Sequence, residues 1–340
     1  MTIIGILTDF GMRGQHYVAE MKGVALKINP DVRFIDVSHT ITPFSIMEAA
    51  YTLYTVYDTF PTESIFVCVI DPGVGSDRDI VAIQTIDNYI LIGPDNGIFS
   101  YFAQKNLISM IMKITEPDFY NPRYAEALKI VEKRQEFQKD VYTQDQGINP
   151  LENSSRLKID SDEIPRSIPD TTSIAPTQLT PITSTFHGRD IMMPVGAHLS
   201  NGLDLFSIGE PKDELDVILN TEPEISEDKQ FITAKIQYID DFGNIITTIP
   251  IVEFQMFTFN KKCSYHLHHK QKNQPIIATP TFAGHDSDQL LLIEGSSGFL
   301  EICCNKARAD EVIDAALGDS FKLEIMGALF SEFTEFPFSQ

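Results

Sequence analysis

The sequence predicts an α/β domain with a mainly parallel sheet, followed by a smaller, barrel-like all-β domain. Up to about residue 120, short apolar segments rich in β-branched residues alternate with segments of helical periodicity, which is typical of a parallel sheet with helical crossovers. From about Gln230 the apolar period changes to two, as in half-buried strands. At 340 residues the chain is long enough for two cores. We therefore place the α/β domain at 1–205 and the β domain at 212–330.

Each predicted element rests on a local pattern. The segment 65–70 is apolar at every position and is closed by Asp-Pro-Gly, which predicts a strand buried on both faces. Apolar residues from Val18 to Ile28 recur at helical spacing, and Ser45 stands three residues before Glu48, as in a capping box. The other predicted strands are 3–7, 32–37, 80–86, 89–92, 231–238, 257–267, 289–293, 299–303 and 321–325, and the other predicted helices are 45–57 and 191–199.

Residues from about 118 to 180 interrupt this alternation of predicted strands and helices. A polar helical pattern from Tyr124 to Lys139 is followed by a stretch, Thr143 to Thr185, that is rich in Ser, Thr, Pro and Asp. Such a composition buries little apolar surface, so we predict a polar surface insertion in the first domain. A lid or an arm for oligomer formation is the alternative.

The charge and the cysteines exclude several classes of protein. Forty-eight acidic against 26 basic residues give a net charge of −22 without a cluster of Lys and Arg, so nucleic-acid binding is not expected. No apolar run is long enough to cross a membrane, and the chain starts in a predicted strand without a signal peptide. Cys68, Cys263, Cys303 and Cys304 match no metal-ligand spacing. We interpret them as reduced packing residues of a cytoplasmic protein.

Acidic residues follow three of the predicted strands. Asp9, Asp71 and Asp95 each stand where a strand ends, and Arg78 follows seven residues after Asp71. The carboxyl ends of parallel strands form the edge at which α/β proteins bind ligands, so we expect these loops to gather there. The glycine-containing loop 72–77 would allow the guanidinium of Arg78 to return to the Asp71 carboxylate.

The polar residues alone do not identify a reaction. Each candidate also has a structural explanation, such as a turn that bonds its own backbone, a helix cap or a local ion pair. A carboxylate, an arginine and a histidine together can hold and polarise water, but their spacing does not reveal the electrophile. The candidates are Asp9, Asp36, His39, Asp71, Arg78, Asp95, Asn96, His187, Arg189, Asp190, Asp240 and Asn244.

Eight segments, taken in chain order, resemble the S-adenosyl-L-methionine (SAM) hydroxide adenosyltransferase family. The segments run through both predicted domains and cover nearly everything except about 118–180. They are LTDFG (7–11), YVAEMKGV (17–24), IDVSHTITP (35–43), IDPGVGSDR (70–78), GPDNGIFS (93–100), TFHGRDIMMPVGAHL (185–199), IDDFGNIITTI (239–249) and GSSGFLEI (295–302). Relatives of this family attack the same carbon with fluoride or chloride.

The resemblance implies an activity and an assembly. Water would replace the sulfonium at the ribose C5′ of SAM and release adenosine and L-methionine, with SAM as substrate and no cofactor or metal. The protein would form a homotrimer, with each site between the N-terminal domain of one subunit and the C-terminal domain of the next. His187 separates the chain from the halogenating branch, whose members lack the His of TFHGRD.

The family's functional residues fall on named positions of this chain. Its water-activating Asp, Arg and His fall on Asp71, Arg78 and His187. Its substrate-binding positions fall on Asp9 for the ribose hydroxyls, Asp240 for the methionine ammonium, Asn244 for the adenine edge, Phe242 and Phe282 for stacking on adenine, Ser296 and Ser297 for the methionine carboxylate, and also on Phe10 and the backbone of Ala309. The family's small-Asn-Ala stretch is Ala307-Arg308-Ala309 here, which removes a side-chain contact of the Asn.

Three alternatives stay open at this point. The first is a metal-dependent hydrolase with Asp9, Asp36, His39 and His187 as ligands, since carboxylates and imidazoles bind Zn, Mn or Fe. The second is a protein that binds SAM or adenosine without turnover. The third is a halide-dependent adenosyltransferase.

Overall fold

A computed structural model describes residues 2–129, 185–217, 222–258, 261–287 and 289–329. It contains two sheets, one from each half of the chain. An α/β domain followed by a barrel-like β domain is therefore confirmed. The insertion predicted at about 118–180 lies mostly outside the described residues. No helix in the described ranges has the length and apolar character needed to cross a bilayer.

The first sheet is mixed. Its seven strands lie in the order β2-β1-β3-β5-β4-β6-β7. The pairings among β2, β1, β3 and β5 are parallel, whereas β4, β6 and β7 add three antiparallel pairings, so the predicted parallel character holds for one half of the sheet. The strands are β1 (Ile3–Thr8), β2 (Arg33–Ser38), β3 (Ile65–Val69), β4 (Ile80–Thr85), β5 (Ile90–Pro94), β6 (Ile108–Ile114) and β7 (Gly209–Pro211).

Helices cover both faces of this sheet. Apolar residues of α1 and α4 pack on one face of β1 and β3, and those of α2 and α3 pack on the other face. All five residues of β3 are buried, as its continuous apolar run predicts. The helices are α1 (Gln15–Ile28), α2 (Ile46–Val56), α3 (Ser100–Gln104) and α4 (Met193–Ser200), with a π-helical turn (Gly188–Met192) before α4 and short 3-10 turns at Met12–Gly14, Tyr57–Thr59, Pro117–Phe119 and Leu205–Ile208.

The predicted capping box of α2 forms in part. The Ser45 hydroxyl accepts a hydrogen bond from the Glu48 backbone N–H at 3.4 Å. The Glu48 carboxylate accepts one from the Thr42 backbone N–H at 3.0 Å instead of returning to Ser45. This contact fixes the loop that enters α2, and that loop borders the carboxyl edge of β1.

The second sheet closes into a barrel of seven strands. The order is β10-β14-β13-β12-β11-β15-β9, the pairing of β9 with β10 closes the ring, and β8 lies outside against β9. Closure leaves no open edge within the ring. The elements are β8 (Glu224–Ile225), β9 (Phe231–Ile239), β10 (Ile245–Pro250), β11 (Lys261–His269), β12 (Lys272–Ala278), β13 (Leu290–Glu294), β14 (Phe299–Cys304) and β15 (Ser320–Leu329), with helices α5 (Ile251–Thr258) and α6 (Ala309–Ile313).

Aromatic residues join the two domains. Tyr51 of α2 stacks on Tyr238 of β9 with ring centroids 5.2 Å apart. The Tyr101 hydroxyl donates a hydrogen bond to the side-chain oxygen of Gln237, and both residues are buried. Through these contacts the barrel packs against α2 and α3.

Two local predictions differ from the structure. The strand predicted at 257–267 begins at Lys261, because 257 and 258 form the last turn of α5. The first residues of the predicted insertion are described, and Tyr120, Tyr124 and Ala125 among them are buried in the core of the first domain. The domain limits 1–205 and 212–330 stay predictions; β7 and β8 are separated by 212–223.

Candidate active site

An ion pair lies at the carboxyl end of β3. Asp71 follows the strand directly, and the loop after it returns Arg78 to the carboxylate, as its spacing predicts. The Arg78 Nε donates to Asp71 Oδ1 at 2.6 Å, and its Nη2 donates to Oδ2. The side chains are only 10% and 5% exposed, respectively. This two-point contact holds a charged pair rigidly at a buried edge of the sheet.

His187 joins this pair through Arg78. The Nη2 of Arg78 lies 2.8 Å from His187 Nδ1. A guanidinium has only donors, so Nδ1 presents its lone pair and the neutral ring carries its proton on Nε2. Burial, and then the Arg78 charge, lower the pKa of His187 below its usual 6.5. The imidazole is therefore a neutral group that can accept a proton at Nδ1.

A glycine permits this approach. Gly188 follows His187 in the π-helical turn, and a Cβ at this position would lie 2.8 Å from Cγ1 of Val69 at the end of β3. Any larger residue would push the turn away from the strand. Gly188 thus allows the chain to bring His187 within reach of the Asp71–Arg78 pair.

Asp9 and Phe10 lie at the same edge, after β1. The Asp9 carboxylate accepts a hydrogen bond from the Phe44 backbone N–H at 2.9 Å, and the Phe44 ring is 71% exposed. Phe10 packs edge-on against Tyr17 and Phe186, with ring centroids 5.4 and 5.7 Å away. The structure therefore gathers Asp9, Phe10, Asp71, Arg78 and His187, and we name these five residues the N-terminal half-site.

The remaining acids of the first domain serve other contacts. Asp95 is buried and paired with Lys212 at 2.8 Å. The next residue, Asn96, donates to the carbonyl of Ile70 at 2.9 Å and so braces the backbone just before Asp71. The third acidic loop therefore contributes two side chains. Asn96 supports the backbone next to Asp71, and Asp95 anchors Lys212.

The residues of the metal alternative do not converge. Asp36 pairs with Lys22 at 2.7 Å and with His39 at 3.1 Å. Burial opposes the charge of Asp36, but these two partners outweigh it and lower its pKa. Among the residues that the structure describes, no group of three or more His, Cys, Asp or Glu side chains is placed to hold a metal ion. The geometry thus offers this alternative no ligand set.

The second group of predicted residues lies on the barrel. Asp240 ends β9, and its Oδ1 accepts from the backbone N–H groups of Phe242 and Asn244 at 2.9 and 2.8 Å. Its Oδ2 accepts from the Asn244 side chain at 2.9 Å. Gly243 has a φ of +81°, which this turn requires. Asp240 therefore shapes the turn, as its structural explanation predicts, and fixes the amide of Asn244.

This turn borders an open cavity of about 440 Å³. Phe242 is 79% exposed and Phe282 is 38% exposed, and both rings line the cavity with Asn244 and Arg308. Exposed rings around a concave surface are typical of sites that stack a flat ligand. Ala309 is buried at the start of α6, next to Arg308.

Ser296 and Ser297 lie in the turn between β13 and β14. Tyr51 lies beside Ser297, and burial raises the pKa of Tyr51 to about 12. The Glu301 carboxylate packs against Gly295, where any side chain would collide with it. Burial, and then the nearby Asp240, raise the pKa of Glu301. We name the predicted residues of the barrel, which are Asp240, Phe242, Asn244, Phe282, Ser296, Ser297 and Ala309, the C-terminal half-site.

Sequence reasoning did not single out Tyr51, Tyr124 or Glu301. Glu301 leaves a weak signal, as an acid inside the otherwise apolar strand 299–303. Tyr51 fits the apolar face of a helix, and Tyr124 falls in the stretch that was predicted to be an insertion. These residues are identified by their contacts in the structure.

Comparison with known protein families identifies the family of this chain. The model of the SAM hydroxide adenosyltransferase N-terminal domain matches residues 4–147, and that of the C-terminal domain matches 234–322. Together they cover more than half of the chain. This chain belongs to the SAM hydroxide adenosyltransferase family.

Several known proteins are similar to this chain along nearly its whole length. The (R)-S-adenosyl-L-methionine hydrolase of Methanocaldococcus jannaschii is 31% identical over 95% of this chain and 96% of its own length. The protein of the same name from Thermus thermophilus is 25% identical, over 95% of this chain and 100% of its own length. A fluorinase from an Actinoplanes species is 21% identical, over 90% and 91%.

The fold also matches a solved structure. An uncharacterized conserved protein from Thermotoga maritima superposes with a TM-score of 0.70 at 26% identity, over 94% of this chain and 99% of that protein. The two-domain layout is thus shared over 94% of this chain.

Proposed function

We propose that this protein hydrolyses SAM to adenosine and L-methionine. The observation that carries the proposal is the bridge that Arg78 forms between Asp71 and His187 at the carboxyl edge of the sheet. The motif resemblance assigns the family's water-activating roles to these three residues. The full-length similarity to proteins named (R)-S-adenosyl-L-methionine hydrolase supports the same activity.

The three residues would activate water for an in-line attack. A sulfonium is already a good leaving group, so the main task is to orient the water behind C5′, and positioning of this kind contributes up to about 7–11 kcal/mol. Asp71 accepts a hydrogen bond from the water, and Arg78 stabilises the charge that grows on the attacking oxygen. Neutral His187 takes the proton at Nδ1 once the Arg78 Nη2 donates to the attacking oxygen in place of this nitrogen.

The step balances without another reactant. A bond forms between C5′ and the water oxygen while the bond between C5′ and sulfur breaks. The electron pair of the broken bond leaves with the sulfur of methionine, and the proton of the water goes to His187. We propose no cofactor and no metal for this step, because the sulfonium supplies the driving force.

The other half-site residues would bind the substrate. Asp9 would accept hydrogen bonds from the ribose hydroxyls, and Phe10 would border the ribose. Phe242 and Phe282 would stack on adenine, and Asn244 with the Ala309 backbone would meet its edge. Asp240 would attract the methionine ammonium, and Ser296 and Ser297 would donate to the carboxylate. The 440 Å³ cavity is of the size that small-molecule sites occupy.

We also propose a homotrimer in which neighbouring subunits complete each site. Among the described residues, no hydrogen bond, ion pair or ring contact joins the two half-sites of one chain, and Phe242 is largely exposed. Light scattering would give the assembly. His187→Ala and Asp240→Asn are mixed and assayed at a SAM concentration at which neither variant alone is active. Activity should return at about a quarter of the sites, as random assembly of a symmetric ring requires. No recovery after exchange of subunits would place the whole site within one chain.

A cytoplasmic location fits the same proposal. Cys68, Cys263 and Cys303 form no disulfide among the described residues, and Cys68 and Cys303 are buried. Free thiols of this kind suit a reducing compartment.

A product assay tests the activity. Purified protein is incubated with SAM, and the nucleosides and amino acids are separated by chromatography. Adenosine and L-methionine in equal amounts support the proposal. Retained intact SAM would indicate a binding protein, a halogenated nucleoside formed in chloride or fluoride would indicate the halide reaction, and loss of activity in chelator would revive the metal alternative.

A further inference from the structure

Tyr124 contacts the side of His187 that faces away from the ion pair. Its hydroxyl lies 3.4 Å from His187 Nε2, and the two rings meet edge to face at 63°. Tyr124 and His187 are 7% and 8% exposed. Because Arg78 occupies Nδ1 at 2.8 Å, each nitrogen of the imidazole has one protein partner. The ring is therefore held from both ends.

The chemistry of the partners fixes the direction of each hydrogen bond. Arg78 can only donate, so Nδ1 accepts and the proton of the neutral ring lies on Nε2. The Nε2–H then donates to the Tyr124 hydroxyl oxygen. Burial raises the pKa of Tyr124, and next to burial the Asp190 charge acts in the same direction, so its hydroxyl stays neutral.

A second contact keeps Tyr124 in place. The backbone N–H of Asn121 donates to the Asp190 carbonyl at 2.9 Å, and the Asn121 side chain donates to the Asp190 carboxylate at 3.1 Å. Asn121 immediately precedes the helical residues 122–129, and Asp190 lies in the π-helical turn that follows His187. The two segments that carry Tyr124 and His187 are thus tied together beside the contact.

We propose that Tyr124 is a positioning residue of the reaction: its hydroxyl accepts the Nε2 proton and so turns Nδ1 of His187 toward Arg78 and Asp71. Without it a buried N–H would lose its acceptor, which is costly. Rotation of the ring would relieve that loss, but it would replace Nδ1 by a carbon at the Arg78 contact. The inference rests on the proposed function, because it assigns His187 the role of proton acceptor.

The test compares two tyrosines of the same core cluster. Tyr124→Phe removes the hydroxyl and keeps the ring. Tyr120→Phe is the matched control, because the Tyr120 hydroxyl donates to the Ile114 carbonyl at 3.2 Å and its ring lies 6.2 Å from that of Tyr124. Tyr120 and Tyr124 are 8% and 7% exposed and each variant loses one hydroxyl, so effects of stability alone should be alike in the two.

Two readouts are needed. The first is the kcat and KM of SAM hydrolysis, and the second is the ¹⁵N NMR spectrum of ligand-free protein with labelled histidine, in which His187→Ala identifies the signals of this ring. We expect Tyr124→Phe to lower kcat on the order of tenfold or more with KM little changed. We also expect the spectrum to lose the single form with Nε2 protonated, while Tyr120→Phe keeps both properties.

Two results would overturn the inference. One is an unchanged His187 spectrum in Tyr124→Phe. The other is an equal loss of kcat in both variants, which would show a purely structural role. Failure of the wild-type protein to hydrolyse SAM would instead contradict the proposed function, and the spectra of ligand-free protein would still decide whether Tyr124 holds His187.

Discussion

The two half-sites differ in how completely they are formed before a ligand arrives. In the N-terminal half-site, Asp71 and Arg78 are almost fully buried and already bonded to each other and to His187. In the C-terminal half-site, Phe242 is 79% exposed and lines an open cavity. The groups that we propose to react are therefore preorganised, whereas the surface that we propose to bind the substrate is exposed. Substitutions in the first should change kcat, and those in the second should change KM.

Loss of Arg78 is expected to have the largest effect. Arg78→Ala leaves the Asp71 carboxylate buried without its partner and frees Nδ1 of His187. Breaking a buried ion pair costs about 3–5 kcal/mol of the free energy of unfolding, and turnover should fall below detection. Denaturant unfolding and the SAM assay measure the two effects.

The control for Arg78→Ala is Lys22→Ala. Lys22 pairs with Asp36, and this pair is partly exposed, so its loss should cost no more than about 1 kcal/mol. If Arg78→Ala were as stable as Lys22→Ala, the buried pair of Asp71 and Arg78 would not contribute to stability in solution as we expect.

Loss of His187 should affect chemistry and spare binding. His187→Ala removes the proton acceptor, and general base catalysis typically contributes 10²–10⁴-fold, so kcat should fall by roughly that factor. The affinity for SAM, measured by calorimetry at short times, should stay close to that of the wild type. Comparable turnover in this variant would remove His187 from the mechanism.

Loss of the Phe242 ring should show the opposite pattern. Aromatic stacking contributes about 0.5–1.5 kcal/mol, so Phe242→Ala should raise KM by a few-fold up to about tenfold with kcat nearly unchanged. Because the ring is mostly exposed, the midpoint of thermal unfolding should not change. A fall in kcat with a constant KM would contradict the division of roles, in which the C-terminal half-site binds the substrate and the N-terminal half-site carries out the reaction.

The smallest effect concerns pH. Burial and Arg78 lower the pKa of His187, so the reactive neutral ring persists below pH 6.5 and the acidic limb of kcat should lie below that value. The unfolded chain binds this proton more readily, so the contribution of His187 to stability is present above pH 6.5 and is lost as the pH falls through the lowered pKa. Rate and unfolding profiles of wild type and His187→Ala measure both; an acidic limb above pH 6.5 would contradict the neutral, buried ring.

The sequence was most informative where local pattern and burial agree. The apolar run 65–70 predicted β3, and the spacing from Asp71 to Arg78 predicted their ion pair. The antiparallel half of the first sheet was not predicted, because a pattern of apolar residues does not encode the direction of a neighbouring strand. No strand was predicted at β12, and its parallel pairing with β13 is likewise not encoded in the apolar pattern.

The site was predicted less completely than the fold. Motif resemblance assigned the twelve residues of the two half-sites, but their roles stay predictions. Tyr124 was identified only through its contact with His187, which is distant in the chain. Glu301 left a weak signal in the sequence, but its neighbours Gly295 and Asp240 became known only from the structure. Such contacts depend on how loops fold over strand ends, which composition and periodicity do not determine.

The most direct measurement follows the oxygen atom of the attacking water. SAM is incubated with the protein in ¹⁸O-labelled water, and the adenosine is examined by mass spectrometry. Attack by water at C5′ predicts one ¹⁸O atom in adenosine, at the 5′-oxygen, and none in L-methionine. Adenosine without the label, or label in the amino acid, would contradict attack by water at C5′.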